Sequence, residues 1–301
     1  MARKDYVRHA VEKGGDRHKR LARPCPADGN RDSIGFVAQV GLRRDLAVTH
    51  SDVRFDDLRV TVFSSPDDLA VAAVDAFVAA VAAALRETVD TAVLLATGNS
   101  QLGFLRRVRE HRSIPWDRVN VFHMDEYVGL PAAHPASFRS FLHRELVDHV
   151  NPRSFAGIEG DAPQVPDEMD RYARLLRATP PAVTVMGIGE NGHLAFNDPP
   201  ADFAAAEAMR LVALDGASRR QQVGEGHFPD LDAVPTHALT VTIPVLLAAP
   251  TVLALAPEKR KAPAVRAALV DPVSPHCPAS ILRRHSNARL FLDTESASLL
   301  P

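Results

Sequence analysis

The chain has 301 residues, of which 46% are apolar and 24% charged, a balance that buries a sizeable core and excludes wholesale disorder. Its 35 basic and 37 acidic side chains leave a formal charge of −2, so no global field draws it to nucleic acid or anionic membrane, and an anionic ligand must be met locally. Two cysteines, Cys25 and Cys277, amount to neither a metal cluster nor a disulfide framework and read as free thiols.

Residues 1–55 carry many Arg, Asp and Lys and little periodic patterning. They read as an N-terminal leader or arm, partly disordered or packed on a neighbouring subunit. The first residues, MARKDYVRHAVEKGG, lack the apolar core of a secretory signal, and the longest apolar stretches contain charges or fall short of about 18 residues. A cytoplasmic protein with no membrane span is expected, with one catalytic domain over 56–301.

From Leu58 the pattern changes. LRVTVF (58–63) reads as a strand, and SSPDDLAVAAVDAFVAAVAAALRE as a helix with Ser65 as N-cap, Pro66 at its first position and Asp67 and Asp68 in its first turn. TAVLLA (91–96) is a buried strand, QLGFLRRVREH a helix and VNVFH (119–123) a further strand. AVTVMGI (182–188), RLVAL (210–214), ALTVTI (238–243), TVLALA (251–256) and ARLFLD (288–293) follow. This alternation predicts an α/β fold with a doubly wound, mostly parallel, Rossmann-like sheet flanked by helices. Its ligands belong beyond the carboxyl ends of the strands, in the turns that follow them.

Four such turns carry candidate chemistry. In ATGNSQLG (96–103), Gly98 permits a tight turn, Asn99 and Ser100 offer short polar groups, and the N–H groups of the next helix suit a phosphate. The turn matches neither a P-loop nor GxGxxG, and read alone it is better taken as an ordinary turn. In VFHMDEYVGL, Asp125 and Glu126 stand directly after an apolar strand, either as a general base beside a carbonyl or as helix-capping and solvated acids. His134 and Ser137, further along, read as structural, Ser137 as a helix cap. MGIGENGHLAFNDPP (186–200) is the sharpest signal: three glycines deliver Glu190, Asn191 and His193 in one turn, with Asn197 and Asp198 close behind. A carboxylate beside a histidine fixes its tautomer, which acid–base work on a sugar ring requires. No HxH or HExxH spacing points to a metal. Lastly, SRRQQ (218–222) and EKRKAP (258–263) are basic; a lysine where a helix begins opposes the helix dipole unless an anion sits there.

Together these segments resemble the glucosamine-6-phosphate deaminase/isomerase family over about residues 58–295. FHMDEYVGLPAAHPASFRSFLHREL is similar to its FNMDEYVGL…HP block, MGIGENGHLAFNDPP to its G.G.DGHIAFNEP block and ATGNSQLG to its phosphate turn. The resemblance implies that Asp125 is the base moving a proton between C1 and C2 of an open-chain amino sugar. It implies that His193 is the ring-opening acid/base, with Asp198 where the family has a supporting Glu. Gly98, Asn99 and Ser100 would bind the phosphate with Lys261, or alternatively Lys259. The implied reaction opens a hexosamine 6-phosphate, isomerises it and releases ammonia to leave fructose 6-phosphate, with no cofactor.

Three departures stand out. Asn191 replaces the family's Asp, with an acid displaced to Glu190; an amide orients a neighbour but does not ionise. The family's phosphate-binding arginine has no clean match in RRQQVGEGHF, where Arg220 or His227 is the stand-in. The first 50 or so residues have no counterpart. Two other readings share the fold: a 6-phosphogluconolactonase-like hydrolase and a non-catalytic sugar-phosphate sensor. The expected partner is a small-molecule sugar phosphate rather than nucleic acid or membrane, and a homo-oligomer is compatible with the resemblance.

Overall fold

Alternating β-branched runs and amphipathic helices build residues 50–301, the part of the chain that this computed structural model describes. Strands β1 (His50–Phe55) and β2 (Leu58–Phe63) form an antiparallel hairpin. Helix α1 (Pro66–Glu87), strand β3 (Thr91–Leu95), helix α2 (Leu102–Glu110), strand β4 (Val119–His123) and the short β5 (Asp125–Tyr127) follow. Helix α3 (Phe138–Leu142) continues through a π-helical turn, His143–Val147, into α4 (Asp148–Val150), then β6 (Ser154–Ala156), α5 (Val165–Ala178) and β7 (Val183–Gly187). The remaining elements are β8 (Met209–Ala213), α6 (Gly216–Gly224), β9 (His237–Val241), α7 (Ile243–Leu246), β10 (Thr251–Ala256), α8 (Ala262–Val270) and β11 (Ala288–Asp293).

The main sheet has eight strands in the order β1-β2-β11-β10-β7-β3-β4-β6, parallel throughout except for β1. Its strands are apolar on both faces because helices cover both. In β10, Leu253 and Leu255 join the layer of α1 and α2 (Phe77, Phe104), while Val252, Ala254 and Ala256 join the opposite layer with Tyr172 of α5 and Val265 of α8. Each such fully buried Leu or Phe contributes roughly 1.5–3 kcal/mol. Helix α1 starts as its sequence dictates: the Ser65 hydroxyl accepts the Asp68 N–H, and Pro66 occupies the first turn. At 22 residues α1 is long and apolar enough to cross a membrane, yet Leu69, Ala73, Phe77 and Val81 are buried in the layer it shares with α2 and the sheet.

Two expectations change. The folded unit begins upstream of residue 56, because His50–Phe55 pairs with β2 along its whole length; residues 1–49 of the expected leader, Cys25 among them, lie outside the described residues. Strands β8 and β9 do not extend the parallel sheet. With β5 they form a separate three-stranded antiparallel sheet, β5-β9-β8. In β8, Arg210 and Val212 are half-buried and Leu211 and Ala213 exposed, the alternation of a strand with one solvated face.

Candidate active site

The carboxyl ends of β10, β7, β3 and β4, four adjacent strands, open onto one cavity. Its walls include Gly98, Asn99 and Ser100 after β3, Asp125 after β4, Gly187 to Gly189 and His193 after β7, and Lys261 after β10. Residues that are scattered along most of the chain therefore meet at the place where a parallel sheet binds ligands.

The small antiparallel sheet fixes the register of this site. Asp125 pairs with Thr240 of β9, and the Val241 N–H donates to the Met124 carbonyl at 2.8 Å. The same strand holds the histidine loop: the Phe196 N–H donates to Thr240 Oγ1 at 3.1 Å, and Asn197 Nδ2 donates to the carbonyls of Leu194 and Val241, both at 2.9 Å. Strand β9 is thus one ruler for both Asp125 and His193. Asn197 is a staple of that loop. Behind it Tyr127, Phe138, Phe196 and Phe228 pack as an aromatic block, with centroid separations of 4.9 Å for Tyr127–Phe138 and 5.3 Å for Tyr127–Phe228.

The two adjacent acids have separate tasks. Glu126 accepts from the N–H groups of Tyr127, Phe138 and Arg139 and from the Ser137 hydroxyl, so it clamps the start of α3 instead of lining the cavity. Burial pushes its carboxyl up, against the pull of these four bonds. Asp125 has no such shell among the described residues. Burial, and then the neighbouring Glu126 charge, push its carboxyl well above the usual range. Ser137 caps α3, as expected, and His134 stacks on Phe228.

His193 lies flat on the backbone of Gly189, where any Cβ would collide with the ring. Its Nδ1 stands 3.1 Å from Asp198 Oδ1 and 3.2 Å from Ser218 Oγ, and the Ser218 hydroxyl itself donates to Asp198 at 2.6 Å. Asn191 completes the cluster: its Oδ1 accepts the His193 N–H at 3.1 Å, and its Nδ2 donates to Asp198 at 3.0 Å and Asp215 at 3.4 Å. Burial works against an ionised Asp198, but His193, Ser218 and Asn191 outweigh it and hold the carboxyl below its ordinary value.

At the other end, Gly98 takes φ +96° and begins the turn into α2, and Ser100 packs against Gly187. Lys261 is 3% exposed, and among the described residues no hydrogen bond holds its ammonium. Burial lowers its pKa, opposed by the Glu225 carboxylate.

Two expected site residues fall elsewhere. Glu190 points away from His193 and pairs with Arg260 at 3.0 Å, because successive residues of a tight turn face different ways. Arg220 lines a neighbouring surface cleft with Glu190, Asn191 and Gln221, and lies outside the main cavity. His227 sits 3.4 Å from Glu225 and Lys259 does not line the cavity. The segment SRRQQVGE instead contributes Ser218, Gln221, Gln222 and Glu225. Their spacing of i, i+3, i+4 and i+7 is the inward face of α6, a signal that attention to the arginines hides.

The model of the family described as glucosamine-6-phosphate isomerases/6-phosphogluconolactonase matches residues 64–291. A glucosamine-6-phosphate deaminase of Exiguobacterium sibiricum is 37% identical over 206 residues, which cover 68% of this chain and 80% of that protein. One of Bacillus cereus is 35% identical over 205 residues, 68% and 76% of the two chains. Among solved structures, a monomeric glucosamine-6-phosphate deaminase superposes with a TM-score of 0.73 at 29% identity, over 80% of this chain and 99% of the other. A 6-phosphogluconolactonase of Thermotoga maritima reaches 0.65 at 18% identity, over 78% and 98%, a likeness of fold alone.

Proposed function

Because the chain belongs to the glucosamine-6-phosphate isomerase/6-phosphogluconolactonase family, we propose that it deaminates a hexosamine 6-phosphate, converting glucosamine 6-phosphate and water into fructose 6-phosphate and ammonia. The observation that carries this reading is the convergence of Asp125, His193 and Lys261 on one cavity. In the proposed sequence His193 takes the proton of the C1 hydroxyl and returns one to the ring oxygen, which opens the pyranose. Asp198, kept ionised, holds the Nδ1 side of the imidazole and leaves Nε2 for the sugar.

Asp125 then removes the C2 proton and delivers it to C1. Water adds at C2 and ammonia leaves. A carboxyl whose pKa is raised by burial suits this step, since it holds the proton taken from C2 more readily and can hand it on to C1. Lys261 and the turn of Gly98, Asn99 and Ser100 receive the phosphate. All of these groups come from one copy of the chain, so the proposed chemistry is complete within a single subunit. In this reading Glu190 touches the site only through Arg260, and Arg220 lies outside the main cavity.

The test is ammonia release by the purified protein from glucosamine 6-phosphate, beside galactosamine 6-phosphate and 6-phosphogluconolactone. Release from either amino sugar is expected. Hydrolysis of the lactone alone would replace the reading with a hydrolase, and saturable sugar-phosphate binding without turnover would replace it with a sensor.

A further inference from the structure

The anion end of the cavity already contains an anion. Glu225, at the end of α6, turns its carboxylate into the space bounded by Gly98 and Lys261, and its side chain is only 7% exposed. Oε1 accepts from Arg260 at 2.9 Å and from Gln221 Nε2 at 2.9 Å. Oε2 stands 3.4 Å from His227 Nε2 and 3.8 Å from the point where a Cβ on Gly98 would lie. The backbone carbonyl of Glu225 also accepts from Asn99 Nδ2 at 3.3 Å, which ties this residue to the turn assigned to the phosphate. Burial works against its charge, but His227, Arg260, Gln221 and Lys261 prevail and hold the carboxyl down at about 2.

A dianionic phosphate cannot enter beside this carboxylate without either strong repulsion or a change of partners. We propose that Glu225 is a specificity gate, an internal carboxylate that occupies the phosphate seat and that only a dianionic phosphate displaces, freeing Arg260 and Lys261 to hold the ligand. The gate rests on the reading of this end as a phosphate seat. It gives Arg260 a role as the second cation of the seat, with Glu190 and Glu258 holding its guanidinium at 3.0 and 2.7 Å. It also links the two ends of the site, since Glu225 and Ser218 stand on the same face of α6. Movement of Glu225 pulls on the helix whose other end touches His193 and Asp198.

The experiment is calorimetric titration of the full chain and its Glu225→Gln variant with inorganic phosphate, and with glucose as an uncharged control that lacks the phosphate. The gate predicts that Glu225→Gln binds phosphate about tenfold or more tightly, the removal of a like charge at close range, and glucose with unchanged affinity. Equal or weaker phosphate binding by the variant overturns it, as does an equal gain for glucose. If Glu225→Gln does not fold, hydrogen exchange of the wild-type chain decides. Saturating phosphate should speed exchange of the amides of 221–228 as Glu225 leaves its partners, and unchanged or slower exchange there overturns the gate. Ammonia release measured in parallel separates the two ideas: turnover without a phosphate effect keeps the deaminase and removes the gate, while tighter phosphate binding without turnover does the reverse.

Discussion

The two ends of the cavity treat a buried carboxyl in opposite ways. Asp125, at the reaction end, is buried beside a second acid, and its pKa is raised; Glu225, at the anion end, is also buried but meets Arg260, Lys261, His227 and Gln221, and its pKa falls to about 2. Burial is the largest influence at both, and the partners decide the sign. In the proposed mechanism the group that exchanges a proton is left without cations. The group that the proposed gate keeps charged is given several. The histidine cluster lies between these extremes: Asp198 keeps its charge through His193, Ser218 and Asn191, none of which is a permanent cation.

The harshest test of this contrast is Asp125→Asn. Turnover should drop on the order of 10³-fold, the scale of a lost general base, while sugar-phosphate affinity persists. Stability should move the other way. The folded chain holds a proton on Asp125 that the unfolded chain releases near 3.8, so stability falls as pH rises from there toward the raised folded value. The amide removes that slope. Thermal unfolding of Asp125→Asn near neutral pH should occur at the same temperature as wild type or higher, and a clear loss of Tm would show that the carboxylate is not penalised where it sits. Next in size is Gly189→Ala, which forces the His193 ring off its seat; an ångström-scale shift of a catalytic group costs on the order of 10²-fold in kcat, and wild-type rates in this variant would remove His193 from the mechanism. Lys261→Ala acts at the other end and should raise KM for the phosphorylated sugar by about tenfold or more with a smaller change in kcat. An unaltered KM would move the phosphate away from Lys261.

How legible each end is follows from the kind of signal it leaves in the sequence. The strands of the parallel sheet announce themselves as apolar runs, and the turn after each is then a short run of candidates; Gly98, Asn99, Ser100, Asp125, His193 and Lys261 all stand in such turns and share the cavity. Strands β8 and β9 are visible as strands but not as a second sheet, because local pattern gives no pairing partner. Glu126 and Asp125 are indistinguishable in sequence, and only the placement of α3 separates the clamp from the proposed base. Glu190 and Arg220 carry the charges that draw attention in sequence, whereas the cavity takes the polar face of α6. In a charged helix the periodicity of the small and amide residues is the better guide.

The finest test concerns Asn191. Its Nδ2 is a donor shared by Asp198 and Asp215, two carboxylates that its amide bridges, and its Oδ1 is fixed by the His193 N–H. An aspartate there keeps the acceptor and loses the donors, so Asn191→Asp adds a third negative charge to the cluster. That charge disfavours ionised Asp198, which loosens the hold on His193. The expected result is a loss of only a few-fold in kcat near neutral pH. It should shrink as pH falls, because the introduced carboxyl, once protonated, again offers a hydrogen to its neighbours, and the pH profile rather than the rate alone is the decisive readout. A pH-independent loss would mean that Asn191 acts through loop shape and not through the proton it donates, and a gain at neutral pH would mean that the histidine is better served by a nearer negative charge than by a well-ordered Asp198.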